Sequence, residues 1–436
     1  MKVAPVKVLR DAVWGDIELE PELLGLVDTL EFQRLRGVRQ LGTANLVYPC
    51  ANHTRFDHSL GTAHVARRIL DELERGGAPV SPDERRTIAI AALLHDVTHV
   101  PFGHTFEDER RIFPRHDVPE RTRAFLGRGE LGAALERTGL APAVLAALGA
   151  APDASPLAGV VSGTIGADLL DYLARDAFFT GIRHRYDERI FRYFAIRDGR
   201  LVLRIQKRGG VREDALSEVV HLLRLRYTLS ERVYYHHAKV ASGALVSKLV
   251  ERALGLGLVF DDLRDATDDG LVTRLELLYA PRDPVLARSL ARFRRRSLPK
   301  RAYVLTRRIP AELQAQLVQR FHVSREDRER VEAELEAELG LAAGDVIIYC
   351  PSPDMALKEA RVLVDLDAGP PRSLADLELP EVAGLLEKHR DLWKFYVFIA
   401  ADEKGRAGAL SEACSRRFGR PDELERVVRG GLRFKT

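Results

Sequence analysis

The chain carries two histidine-bearing stretches, RFDHS (55–59) and LLHDVTHVPFGH (93–104), and a later acidic run, DLLDYLARD (168–176). Together they offer His58, the adjacent pair His95 and Asp96, and Asp168. Two imidazoles and two carboxylates suit a divalent Fe, Mn, Co, Ni or Zn ion, and sequence does not choose among these metals. A mononuclear site keeps positions open for water and substrate, and a bound ion brings the pKa of its water from about 15.7 towards ~7. The chemistry to expect of such a site is hydrolysis by an activated water, which also needs a proton for the departing group.

Other residues fall into register with this group. His99 follows His95 by one helical turn, so it shares that face if the helix continues through it. Arg55 precedes His58 by three positions, and its planar fork donates two hydrogen bonds at once, which suits phosphate oxygens. Asp168, Tyr172 and Asp176 recur at i, i+4 and i+8, as do Arg226, Ser230 and Tyr234, so each trio lines one helix face.

The order H…HD…D is set among four blocks: EFQRLRGVRQLG (31–42), HTRFDHSLGTAH (53–64), HDVTHVPFGH (95–104) and DLLDYLARD (168–176). These blocks resemble the HD phosphohydrolases and, within them, the dNTP triphosphohydrolase branch. The resemblance implies hydrolysis of a dNTP to deoxynucleoside and tripolyphosphate, by attack of metal-bound hydroxide on the α-phosphorus. It implies His58, His95, Asp96 and Asp168 as metal ligands, with Mg2+ on the triphosphate as a further ion. His99, Glu107 and His116 become an acid–base group, with His116 leading as proton donor to the leaving O5′. Around the substrate it sets Gln40, Leu41, Arg55, His104, Tyr172, Asp176, Arg226 and Tyr234. Of these, Gln40 and Leu41 meet the deoxyribose, Tyr172 the sugar, Asp176 its 3′-hydroxyl and Arg226 the phosphates.

Two residues depart from the pattern. Leu169 stands where a relative carries a phosphate-binding lysine, and Glu107 where the family often has the shorter Asp. Asp28 and Arg36 match a guanine-nucleotide effector site, and whether this chain responds to a nucleotide effector stays open. A homo-oligomer is implied. Two alternatives remain: an HD phosphohydrolase acting on another nucleotide or a nucleic-acid end, and a nucleotide sensor without turnover. The complete quartet argues against the sensor.

The elements that must position these residues read as mainly helical. The expected fold is an HD-type helical bundle over residues 1–255, with a short β-hairpin insertion, and a smaller α+β lobe over 256–436. Two short strands are expected over 5–19, and Pro21 opens a helix with Leu23, Leu24, Val27 and Leu30 at helical spacing. Helices follow from Arg55 to Arg75, from Pro82 through His95 and Asp96 until Pro101 stops it, and from Asp168 to Phe179. A hairpin turns at Asp198-Gly199. One long helix then runs from Val211 to Leu254, with only Gly243 interrupting it. Strands are expected at 300–308, 346–350, 362–365 and 395–400.

A chain of 436 residues with 46% hydrophobic and 30% charged residues has the composition of an ordinary globular protein. Its net charge of +3 creates no global field for nucleic acid or anionic membrane. The basic run RFRRRSLPKR (292–301) is the local exception, able to meet an anionic effector or nucleic acid. Cys50, Cys350 and Cys414 are too scattered for a disulfide framework or a thiolate zinc site. With no signal core at the N-terminus and no long apolar run, the expectation is a cytoplasmic protein without a membrane anchor.

Overall fold

The computed structural model describes residues 6–428 apart from 153, 208, 354, 367 and 368. Pro5, where the expected first strand begins, and the outer ends of the two expected domains lie outside the described residues. The fold is mainly α, with an HD-type bundle, a hairpin added to it and α+β structure further along.

The N-terminal hairpin pairs β1 (Lys7–Asp11) with β2 (Gly15–Leu19) and buries Ile17 and Leu19. Helix α1 (Pro21–Val27) stops at Asp28, earlier than the apolar spacing suggests, and Leu30 lies exposed beyond it. The central helix is α2 (Arg55–Arg75), started by a reciprocal Thr54–Asp57 capping box. Helix α3 (Pro82–Leu94) has the equivalent Ser81–Glu84 box with Pro82 in its first turn. Helix α4 (Ala167–Thr180) ends on Gly181 at φ 74°, the left-handed conformation glycine adopts without strain. α2 packs against both α3 and α4. Gly61 permits the close α2–α4 approach, because a Cβ there would sit 1.9 Å from an Asp171 oxygen.

Two helix boundaries differ from expectation. α3 ends at Leu94, so His95 and Asp96 lie in the following turns rather than on a helix running to Pro101. The carbonyls that a longer helix would use are taken by arginines from elsewhere. Arg34 donates to Val97 and His99, and Arg121 donates to Thr98. The long helix is likewise two, α5 (Glu213–Leu229) and α6 (His237–Leu254). They are joined by a wide π turn over Ser230–Tyr234, and Gly243 is buried inside α6 without interrupting it.

The hairpin of β3 (Phe194–Arg197) and β4 (Arg200–Arg204) turns at Asp198-Gly199 as expected. It extends into a four-stranded sheet with β7 (Leu363–Asp365), parallel to β4, and β8 (Arg372–Ser373). A second sheet sets β9 (Lys394–Ile399) between β5 (Lys300–Thr306) and β6 (Val346–Tyr349), all antiparallel. Its core gathers Phe321, Leu335, Trp393 and Phe395. The bundle core gathers Phe32, Phe56, Leu93 and Leu170 together with Leu357, Ala360, Val362 and Val364. A segment far down the chain therefore joins the core of the bundle.

One apolar stretch, Pro156–Thr180, is long and apolar enough by composition to cross a membrane. It is broken at 163–166, and its second half is α4, which brings Asp168, Asp171 and Asp176 into the bundle.

Candidate metal centre and phosphate site

The four expected ligands converge from α2, the turn after α3, and α4. His58 Nε2 lies 3.2 Å from His95 Nε2 and 3.1 Å from Asp168 Oδ1. Asp96 approaches the same nitrogens, at 3.7 Å from His58 and 3.6 Å from His95. His95 directs its other nitrogen to the Ala92 carbonyl at 2.8 Å, which leaves Nε2 facing the centre. Burial alone would lower the His58 imidazole, but hydrogen bonds to Asp168 and Asp171 raise it to about 10. The surrounding carboxylates thus favour positive charge at this point, which is the electrostatics a divalent cation needs. Donor set and charge both fit a transition ion, and the half-exposed side chain of Asp168 marks the side open to water and substrate.

Behind the ligands lies a layer that sequence reasoning missed. His58 Nδ1 donates to Asp171 Oδ2 at 2.7 Å. Arg175 donates to Asp171 at 2.8 and 2.9 Å and to Asp11 at 2.8 Å, and the Trp14 indole also donates to Asp171. A carboxylate on the far nitrogen of a metal-binding histidine fixes its orientation and raises its basicity. The i, i+4 spacing of Asp171 and Arg175 inside the acidic run was the available signal.

Next to the centre lies a second cluster, His99, His104, Glu107 and His116. His116 Nδ1 donates to Glu107 at 3.0 Å and His104 Nδ1 at 3.2 Å, while His99 stacks on His116 with ring centroids 3.7 Å apart. Burial would raise the Glu107 carboxyl, but His104 and His116 hold it well below the usual range. Burial lowers His116, and Glu107 pushes back. Its Nε2 stands 4.0 Å from Asp96, so the ring spans from Glu107 to the metal side. His99 is brought here by turns rather than by a helix face, and burial with Arg55 and His116 nearby pushes it well below the ordinary imidazole range.

Arg55 is fully buried and pairs with Asp96 through Nη1, while its Nε and Nη2 have no hydrogen-bond partner. Gly103, at φ 54°, leaves room for this guanidinium, because a Cβ would meet Nη2 at 2.5 Å. Gln40 and Leu41 sit beside the start of α2, where Gln40 N bonds the His53 carbonyl and Gln40 Oε1 is buried without a partner.

On the α4 face, Tyr172 lies edge-on to His58 at 6.5 Å. Asp176 accepts from His53 at 2.8 Å and from the Tyr234 hydroxyl at 2.6 Å. Arg226 lies over the rings of Tyr172 and Tyr234, so the π turn still delivers Tyr234 to the same place. Its Nε, however, donates to Glu359 at 2.9 Å, a residue absent from the sequence reading because it lies 133 positions away.

The remaining expectations sit elsewhere. Arg36 bonds Gln33 and lies 3.6 Å over the Phe56 ring, while Asp28 caps α1. Within the basic run, Arg292 bonds Asp345 and Asp402, Arg294 bonds Glu276, and Arg296 bonds the Leu46 carbonyl. Cys50, Cys350 and Cys414 are free thiols.

Comparison with known proteins matches residues 55–176 to the HD domain and residues 187–415, more than half of the chain, to the HD associated region. The chain belongs to the HD-domain family. Among its HD-domain relatives, an uncharacterized Bacillus subtilis protein, YwfO, is 33% identical over 59% of this chain and 59% of its own length. The human deoxynucleoside triphosphate triphosphohydrolase SAMHD1 is 28% identical over 62% of this chain and 47% of its own. The matched stretches thus span only about half to three fifths of these relatives. A hypothetical protein from Aquifex aeolicus shares the fold, with a TM-score of 0.71 at 22% identity, over 93% of this chain and all of that one. The HD match begins at Arg55 and ends at Asp176, and so encloses His58, His95, Asp96 and Asp168 together with the cluster of His99, His104, Glu107 and His116.

Proposed function

We propose that the protein hydrolyses deoxynucleoside triphosphates to deoxynucleoside and tripolyphosphate. The observation that carries this reading is the convergence of His58, His95, Asp96 and Asp168 beside the Glu107–His116 pair, in a chain whose relatives include enzymes named for that reaction. A divalent ion bound by the quartet would supply activated water at neutral pH. Arg55 offers two unpartnered N–H groups, suited to charge on the phosphate oxygens. His116, held by Glu107, directs Nε2 inward to protonate the leaving O5′. In this reading Tyr172 and Leu41 would close on the deoxyribose, and Asp176, which accepts from His53 and Tyr234, would meet the 3′-hydroxyl.

A panel of paired substrates tests the reading. dGTP against GTP and dATP against ATP should show a deoxyribose preference of about 10²-fold or more in kcat/KM, with tripolyphosphate as first product. Tyr172→Ala should narrow that gap. Equal rates on ribose and deoxyribose, or orthophosphate as first product, would instead favour the second reading, an HD phosphohydrolase acting on another nucleotide or a nucleic-acid end. Leu169 in place of a phosphate-binding lysine is the residue that keeps this second reading in play.

A further inference from the structure

We infer that Glu359 is an internal competitor for the phosphate chain: its carboxylate takes the Nε of the Arg226 guanidinium that a terminal phosphate would use, and so sets how tightly the site grips a triphosphate. This deepens the dNTP reading, and rests on it for the substrate while resting on the geometry for the contact.

Arg226 spends Nε on Glu359 at 2.9 Å and Nη1 on the Ser230 hydroxyl at 2.9 Å. The carboxylate is not a surface side chain that happens to reach inward. Glu359 is itself buried in the short turn Lys358–Arg361, whose neighbours Leu357 and Ala360 pack in the bundle core. Val362 and β7 continue that packing, with Leu203 of β4 beside Val364. These side chains leave water as they join the bundle core, so the turn is anchored there. Ser230, the second partner of Arg226, is in turn met by His389 at 3.3 Å, and His389 bonds the Met355 carbonyl at 3.0 Å. Two elements from beyond residue 350 therefore close on one arginine.

The charge balance around this arginine gives the contact its meaning. Its rings of contact, Tyr172 and Tyr234, are the ones that border Asp168 and Asp176. Leu169 adds no positive charge on that face of α4. Arg55, the other guanidinium, already gives one nitrogen to Asp96. A polyphosphate entering here must either displace Glu359 from Arg226 or place its negative oxygens beside a carboxylate. Both lower affinity, and the repulsion grows with the number of phosphates.

The test is the metal-loaded full chain, titrated with inorganic tripolyphosphate, pyrophosphate and orthophosphate by calorimetry. Glu359→Gln should bind tripolyphosphate about tenfold more tightly than wild type, the size expected when one charged hydrogen-bond partner is removed. The gain should shrink through pyrophosphate to orthophosphate, and Arg226→Gln should abolish it in the double variant. With dNTPs the same variant should lower KM. Unchanged tripolyphosphate affinity in Glu359→Gln, or a gain equal for all three anions, overturns the inference. Metal content of Glu359→Gln, measured alongside, should equal wild type, and a loss of metal would equally overturn it by making Glu359 a support of the centre. Tightened tripolyphosphate binding without release of tripolyphosphate from any dNTP would sustain the competitor and sink the dNTP reading.

Discussion

Among the described residues, two of the buried clusters of charge are built on opposite terms. One is the site, with His58, His95, Asp96, Asp168, Arg55 and the Glu107 group. The other lies between the turn after Glu107, α6 and the helix Arg325–Leu339, and is centred on Arg110. There every nitrogen of Arg110 is used: Glu251 accepts at 3.0 and 2.7 Å, Glu332 at 2.8 Å and the Ile348 carbonyl at 2.9 Å. Arg328 pairs with Glu251, and Lys248 with Glu332. In the site, by contrast, Nε and Nη2 of Arg55 have no hydrogen-bond partner, where in the Arg110 cluster Arg328 Nε alone is left so; His99 Nε2 faces Asp96 at 3.2 Å and Glu107 Oε1 lies 3.7 Å from Arg121. A buried polar group without a partner costs about 1–3 kcal/mol, a cost that Arg55 carries at two of its three nitrogens beside the His–Asp quartet. The difference separates polarity that binds the chain to itself from polarity held ready for a ligand.

The comparison is broken most strongly at the metal ligands. His95→Ala or Asp96→Ala should remove bound metal and hydrolysis together, read by elemental analysis and product assay, because one ligand of four is gone. Full metal and full activity in Asp96→Ala would dismiss the assignment. His116→Ala should leave metal content alone and lower kcat by about 10²–10⁴-fold; an unchanged kcat would move attention to His99. The Arg110 cluster should answer in stability instead. Arg110→Met leaves buried carboxylates short of a partner and should cost about 3–5 kcal/mol in urea unfolding, and a loss below about 1 kcal/mol would mean that water already shares the cluster.

The smallest effect sharpens the contrast through pH. Burial would raise the Glu332 carboxyl, but Arg110 and Lys248 outweigh it and bring it from 4.5 to about 2. A carboxyl depressed in the folded state stabilises fully above its unfolded value and loses that contribution as pH falls towards the folded one. Wild-type stability should therefore decline between about pH 4.5 and 2, and Glu332→Gln should be less stable at neutral pH and flatter across that window. Parallel curves for the two proteins would remove Glu332 from the acid response.

What could be read from the residues alone follows the range of the interactions involved. The quartet was legible because donor type and motif order are local, and α2 and α4 were legible because caps and spacing are local too. The end of α3 was not, since nothing in HDVTHV breaks a helix; Arg34 and Arg121, remote in sequence, take its carbonyls. The π turn at Ser230 was hidden for a similar reason. Ser230 accepts from Arg226 and meets His389, so contacts made only in the folded chain govern that stretch. Glu359 lies beyond any spacing argument, because the pairing of β7 with β4 and the packing of Leu357 and Ala360 bring its segment to the bundle.

The chain has two tryptophans, and the fold gives one to each setting. Trp393 is sealed in the second core, its indole nitrogen without a partner. Trp14 donates its indole hydrogen to Asp171, the carboxylate that also orients His58. An ion drawing on His58 changes the electron density at that carboxylate and hence the field on one indole alone. Trp14 emission should therefore change when a divalent metal is added to the protein, read as the difference between wild type and Trp14→Phe, in which only the sealed Trp393 emits.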